Sequence, residues 1–362
     1  MPPKGTKRPR KRSSDAVTGP PPIAFISPGL QADSRLLVFD QEFHVHSLIL
    51  KLHSAYFRKF LDSVDKEGDN AEPAVGAAAP FKYEYVSVID GDGVWALEPA
   101  DKAQAPTEAM IARISHPDSE KEAFRKLLCA MYTRPYRVED VGELEIITRL
   151  ADFYCALPIV SGTLSGALLG SPMLKRDPDP ENQGYNDFAR KAGRLIFVAK
   201  KLRHSVLFRE CFVHLVGNLQ DEDYLGESLI PLKSDKELWL LLTEGYAKMC
   251  HLLLKAHQAF VISTVQRYWS PQQPLPKIRD EAPEESSAFF RALKEQLQGQ
   301  IARGVEDLHI RNLHAAVDKL MINNLVLDQT GYGAGEGPFK WCFLCADLPD
   351  EEMPWNPNET DY

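Results

Sequence analysis

No apolar run in this chain reaches the ~20 residues that a membrane-spanning helix requires, so no membrane partner is expected. Cysteine is scarce and scattered. Six residues at irregular spacings offer no disulfide framework, and the basic start is followed by Ser, Pro and Gly rather than a leader's apolar core. The expected compartment is therefore reducing, nucleus or cytoplasm. Catalytic signatures are missing as well. Ser161-Gly162-Thr163-Leu164-Ser165-Gly166 is not a G-x-S-x-G elbow. In the Gly331 to Gly337 stretch Glu336 stands where a dinucleotide fingerprint needs its third glycine. Neither a Walker loop nor H-E-x-x-H occurs, so the chain is read as a non-enzyme with no cofactor and no catalytic residues. No repeat at a fixed period is present, which argues against a solenoid.

What is there is ordinary globular material: 362 residues, 44% hydrophobic and 26% charged, enough for two domains or one with a large extension. The net charge of −9 argues against nucleic-acid binding over the whole surface. The charges are segregated, however. Residues 1–12 carry Lys4, Lys7, Arg8, Arg10, Lys11 and Arg12 with no acid, and residues 346–362 carry Asp347, Asp350, Glu351, Glu352, Glu359 and Asp361 with no base.

The organising stretch is Asp33 to Asp62. Leu36 to Phe39 is a short β-rich run, Asp40-Gln41 reads as a two-residue hairpin turn, and Glu42 to Val45 places Phe43 and Val45 on one face. The period then changes to helical. Leu48, Leu50 and Leu52 fit one helix, and Tyr56, Phe57, Phe60 and Leu61 fit another.

This stretch resembles the BTB/POZ family. The resemblance is carried by Asp33, by Glu42-Phe43 with His46, and by Leu48, Leu50, Ser54, Tyr56, Phe57 and Leu61 in the family's order and spacing. Further on, Phe124, Leu127, Leu128, Tyr132 and Thr133 match the family's "F-x-x-L-L-x-x-x-Y-T" helix, and Leu150, Ala151, Asp152 and Tyr154 resemble its "L-x-x-A-D-x-Y" helix, with the leucine one place before the alanine and Thr148 at the pattern's leucine position. The resemblance covers residues 23–170 and implies an α+β fold, a small mixed sheet flanked by helices, with insertions near 63–80 and 91–119. It also implies homodimerisation, partner recruitment and, in many members, a cullin-type ubiquitin-ligase scaffold. His46 would be the family's buried histidine. Asp33 would be its near-buried carboxylate, which there pairs with a basic residue just after the histidine. Here that position is Ser47, so Asp33 is expected to be held by backbone or hydroxyl donors.

Around this kernel, residues 1–22 are too polar to pack and read as a disordered basic tail. Ile23, Phe25 and Ile26 form the first apolar segment, an edge strand or one that exchanges with a partner's sheet. Tyr83 to Ile89 alternates as a strand, and 91–119 reads as loop with one short helix near Glu108 to Ile114. Helices are expected over Glu122–Tyr132, Val141–Tyr154 and Leu157–Leu169. Residues 171–187 read as a linker, and 188–330 as an all-α region similar to the helical segment that follows BTB in many fungal proteins. In it Ser234 and Glu237 suggest a capping box before a long helix to about Tyr268, and a bend is expected near Gly304. Residues 331–362 read as a Gly-rich and acidic tail.

The candidate contacts are Ile23, Phe25, Ile26, Leu48, Leu52 and Tyr56, some of which could equally be core. Cys342 and Cys345 form a lone C-x-x-C, half a zinc site, which reads more simply as two small apolar core residues. His44 and His46 are weaker metal candidates still, and no metal is expected. Lys7, Arg8, Arg10, Lys11 and Arg12 fit a nuclear-import peptide. The leading expectation is a protein–protein interaction module. The alternative is a nuclear, chromatin-associated regulator that uses the basic arm, although the folded part is acidic and carries no DNA-reading motif.

Overall fold

The computed structural model describes residues 20–61, 81–175, 187–268, 286–304, 307–356, 358–359 and 362. The chain divides into two compact units, Met1–Leu52 with Phe57–Lys121, and His53–Tyr56 with Glu122–Tyr362. Together they are mixed α+β.

The first unit holds a five-stranded mixed sheet in the order β1-β3-β2-β4-β5, formed by β1 (Ile23–Ala24), β2 (Ser34–Val38), β3 (Gln41–Val45), β4 (Tyr83–Ile89) and β5 (Trp95–Pro99). β2 and β3 form an antiparallel hairpin, and β4 returns parallel to β2. Alternation does what period-2 patterning requires. Leu36, Val38, Phe43 and Val45 turn into the core, while Arg35 on the other face bridges Glu42 at 3.0 Å and Glu84 at 2.8 Å. Between the hairpin and β4 come α1 (Ser47–His53) and α2 (Ala55–Leu61), and after β5 comes the single turn α3 (Glu108–Ile111).

Two sequence expectations need correction in this unit. The hairpin turn is Phe39-Asp40, one residue earlier than the sequence suggests, since Val38 pairs with Gln41. Phe39 takes a positive φ of 55°, which a bulky residue rarely adopts. Packing overrides that preference: its ring meets Trp95 edge-on at 5.2 Å and its N–H donates to Ser87 Oγ at 2.8 Å. The second correction is β5. Residues 95–99 are not loop; they pair antiparallel with β4 and bury Trp95 and Leu97.

The second unit is helical. α4 (Pro117–Met131) enters it from Glu122 onward and leads to α5 (Val141–Phe153) and α6 (Leu157–Leu168). Phe124, Leu127, Leu128 and Met131 are buried from α4, and its buried Lys126 pairs with Glu143 of α5. α7 (Asp187–Leu202) packs against α5, α6 and α8 (Ser205–Gly217). The chain continues through α9 (Glu222–Leu225), α10 (Leu229–Ser234) and the 33-residue α11 (Lys236–Tyr268) to α12 (Ser286–Ala302) and α13 (Leu308–Leu320). α8 is buried on nearly every side, and α11 packs against α8 and α13.

Here too the structure differs from the sequence expectations. The linker expected at 171–187 begins as packed chain: Ser171, Met173 and Leu174 are buried, and Ser171 Oγ donates to the Val138 carbonyl at 2.6 Å. The start of α11 is capped by Asp235, whose carboxylate accepts from Leu238 N at 3.1 Å. Ser234 does not cap it, because its hydroxyl donates back to the Ile230 carbonyl at 2.9 Å. The Gly-rich and acidic tail expected from residue 331 is packed over residues 339–348. Phe339, Cys342, Phe343, Leu344, Cys345, Ala346 and Leu348 are all buried. They form a strap that crosses α8 so closely that a Cβ on Gly217 would lie 2.4 Å from the Phe343 carbonyl oxygen. Asn324 fastens the strap, its amide and side chain donating to the carbonyls of Leu344 and Ala346 at 3.0 and 2.9 Å.

Candidate functional site

In the first unit β3 runs into α1 through His46. Asp33 sits just before β2 and reaches this junction. Its Oδ1 accepts from Ser47 N at 2.7 Å and from Ser34 Oγ at 3.1 Å, and its Oδ2 accepts from Ser47 Oγ at 2.5 Å. The first turn of α1 has an amide that needs an acceptor, and Asp33 supplies it from a distant part of the chain. Burial alone would raise the Asp33 carboxyl, but the Ser47 hydroxyl and amide and the Ser34 hydroxyl outweigh it and hold it below its ordinary value. His46, buried next to Ser47, reaches the Leu30 carbonyl at 3.3 Å through Nε2.

These bonds fix what the junction displays. Phe25 N donates to the His44 carbonyl at 2.9 Å, which ties residues 25–30 to the sheet edge alongside β3. Phe25 turns inward and is buried, and Ile23 is half-buried in β1. Ile26 is 75% exposed, and on α1 Leu48 and Leu52 are 62% and 67% exposed, one turn apart on the same helical face. Leu30, which the sequence does not single out, is also exposed. Its Pro28-Gly29 neighbours mark a turn, but nothing in the local pattern says that an apolar side chain after that turn faces outward. Tyr56, expected to join Leu48 and Leu52, is engaged within the second unit. Its ring meets Tyr154 edge-on at 5.2 Å and lies beside Phe153 at 5.7 Å. Ile23 pairs with Phe43 of its own sheet, parallel, so β1 is an edge strand of this chain.

The cysteine pair lies in the strap. Cys342 and Cys345 are both buried, and burial pushes their thiols up to about 12 and about 11. Two protonated thiols in an apolar setting behave as small core residues. Among the described residues no group of three or more His, Cys, Asp or Glu side chains is placed to hold a metal ion. His44 bonds to Glu42 Oε1 at 2.5 Å. Among the described residues no helix is long and apolar enough to cross a membrane. Lys7, Arg8, Arg10, Lys11 and Arg12 lie outside the described residues.

One buried charged group is invisible to sequence reasoning. Glu210 of α8 accepts from Val326 N at 2.7 Å and Leu327 N at 3.1 Å through Oε2, clamping the chain that leaves α13. Burial raises its carboxyl, the two amides lower it, the nearby Asp328 raises it further, and it settles at about 7. A glutamate in a helical run carries no sequence signal of such a role, because its partners are backbone amides 116 and 117 residues away.

No family model matches the chain, and neither a curated protein nor a solved structure shows significant similarity to it.

Proposed function

We propose that the chain is a protein–protein interaction module of the BTB/POZ type, self-associating through the β3–α1 junction, and not an enzyme. The observation that carries this reading is the pair Leu48 and Leu52, exposed one turn apart on a seven-residue helix whose start is fastened by Asp33. Burying a leucine side chain contributes roughly 1.5–3 kcal/mol, so two of them with Ile26 would supply several kcal/mol to a self-complementary interface. A helix too short to be stable alone displays them in one orientation only because the Asp33 bonds hold it, which lowers the ordering cost of association.

The order of elements supports the family reading. A strand hairpin, two short helices, a further strand and, after the additional β5 and α3, three longer helices follow in the order that the resemblance implies. Under this reading residues 187–320 are the helical extension, and a cullin-type scaffold is among the partners to be tested. The experiment is co-purification of two differently tagged full-length copies expressed together. Recovery of both tags through either one is expected, and Leu48→Asp with Leu52→Asp is expected to abolish it. Recovery of a single tag from the wild-type chain would contradict the proposal.

A further inference from the structure

An open groove runs along one face of α11 in the helical unit. One stretch lies between α11 and α13, where Leu252, Lys255, Ala315, Ala316 and Lys319 line a volume of about 210 Å³. The other lies between α11 and the strap, where Met249, Leu252 and Ala346 help to line about 310 Å³. Leu252 borders both stretches, so they meet at its side chain. Together they fall within the ~300–1,000 Å³ of sites that take a small molecule. From Lys248 to Lys255 this face extends about 10 Å along the helix axis.

The charge along the groove is polarised. Lys255 and Lys319 stand on opposite walls of the first stretch, both exposed, and among the described residues neither has an acidic partner. Asn312 adds a side-chain amide at the same end. At the other end Lys248 is already neutralised, its ammonium bonded to both Glu352 carboxylate oxygens at 2.8 and 2.7 Å. Between the two ends the lining is apolar, with Leu252 half-buried and Met249 and Ala346 buried. Ala315 and Ala316 offer only methyl groups, so α13 leaves its side of the trough unfilled. Two ammonium groups without a counter-ion at one end of an apolar trough match an anion that carries a hydrocarbon body.

We propose that this groove binds a single-chain anionic amphiphile, a medium-chain carboxylate, with its head between Lys255 and Lys319 and its chain laid along Leu252 and Met249. The inference concerns the helical unit alone and does not rest on self-association through α1. The two lysines supply charge-assisted hydrogen bonds to the carboxylate, and the trough takes the chain out of water. Neither half suffices alone. Exposed lysines without a trough bind any anion weakly, and a trough without the lysines has no preference for a charged head.

The test titrates decanoate into the full-length chain by isothermal titration calorimetry. Saturable binding of one molecule per chain is expected. Lys255→Glu with Lys319→Glu, at two exposed positions, should weaken it at least about tenfold, whereas Lys102→Glu, at an exposed position of the first unit, should leave it unchanged. Ala315→Trp should fill the trough and abolish binding while the thermal unfolding transition stays cooperative. Decanol, which has the same chain without the charge, should bind the wild-type protein at least about tenfold more weakly than decanoate, a comparison that depends on no variant folding. Co-sedimentation with phosphatidylglycerol vesicles separates a free amphiphile from a bilayer surface, and the chain should stay in the supernatant. No saturable decanoate binding by wild type, equal binding of decanol, binding that survives the two charge reversals, or pelleting with vesicles in place of decanoate binding would each overturn the proposal.

Discussion

Asp33 holds Ser47 twice, taking its amide hydrogen at 2.7 Å and its hydroxyl hydrogen at 2.5 Å, and so sets the start of α1 from fourteen residues upstream. Replacing Asp33 by Ala should lower unfolding free energy by about 1–2 kcal/mol, the usual cost of a lost helix cap. Asp33→Asn should cost less, since its amide oxygen still accepts one bond. The carboxyl is held below its ordinary 3.8, so its contribution is present above that pH and is lost as pH falls through the folded value. Urea unfolding of wild type and the Asn variant should therefore show a gap at pH 7 that narrows below pH 3.8.

Glu210 has the opposite sign. Its carboxyl rises from 4.5 to about 7 on folding, first through burial, so the folded state binds the extra proton between those values. Stability from this group is therefore present below pH 4.5 and is lost as pH rises through 7. At about 1.4 kcal/mol for each pH unit, the loss amounts to roughly 3 kcal/mol above pH 7. Glu210→Gln keeps an acceptor for the Val326 and Leu327 amides without the charge. It should raise the melting temperature at pH 8 and leave it nearly unchanged at pH 5. A variant less stable than wild type at pH 8 would contradict this assignment.

His204 and His214 pull the other way. Burial holds both near 4, well below the ordinary 6.5, so each contributes stability above 6.5 that is lost as pH falls toward 4. Together with Glu210 they predict a stability maximum close to neutral pH in a series of thermal melts.

The strap's approach to α8 makes Gly217→Ala a sharp test of its placement. The new methyl would meet the Phe343 carbonyl oxygen, a backbone atom, and overpacking of this kind typically costs about 1–3 kcal/mol. Gly162→Ala is the control, since nothing lies within 4 Å of its Cβ position. Denaturant midpoints should fall for the first and hold or rise for the second.

The thiols report on the same strap. Cys155 is exposed, whereas Cys342 and Cys345 are buried with thiols raised to about 12 and about 11. A thiol reagent at pH 8 should modify Cys155 rapidly in the native protein, and the strap pair only once the chain is unfolded.

Where a segment's hydrophobic period is strong, the sequence already shows its structure. Phe43 with Val45 and the run from Phe124 to Met131 announce a strand face and a helix face, and both are buried as patterned. The readings that needed correction lack a local period. Trp95 and Leu97 come after Gly91-Asp92-Gly93 and look like loop until β4 offers an edge to pair with. Phe339, Cys342 and Leu344 sit among Gly, Pro and acidic residues, and the close passage of Cys342 and Phe343 over α8 depends on the absence of a side chain at Gly217. Asp235 and Ser234 are both good caps by type, and only the backbone path decides between them. The exposed face of α1 is half legible. The spacing of Leu48 and Leu52 puts them together, but only the three-dimensional fold shows that they point outward while Leu50 is buried.

If α1 joins two copies of the chain, sedimentation equilibrium across a wide concentration range will reveal it. The wild-type chain should have twice the 40.7 kDa mass at high concentration, and Leu48→Asp with Leu52→Asp should return the single-chain mass with an unchanged circular-dichroism spectrum. A wild-type mass of one chain at every concentration would rule out the α1 interface.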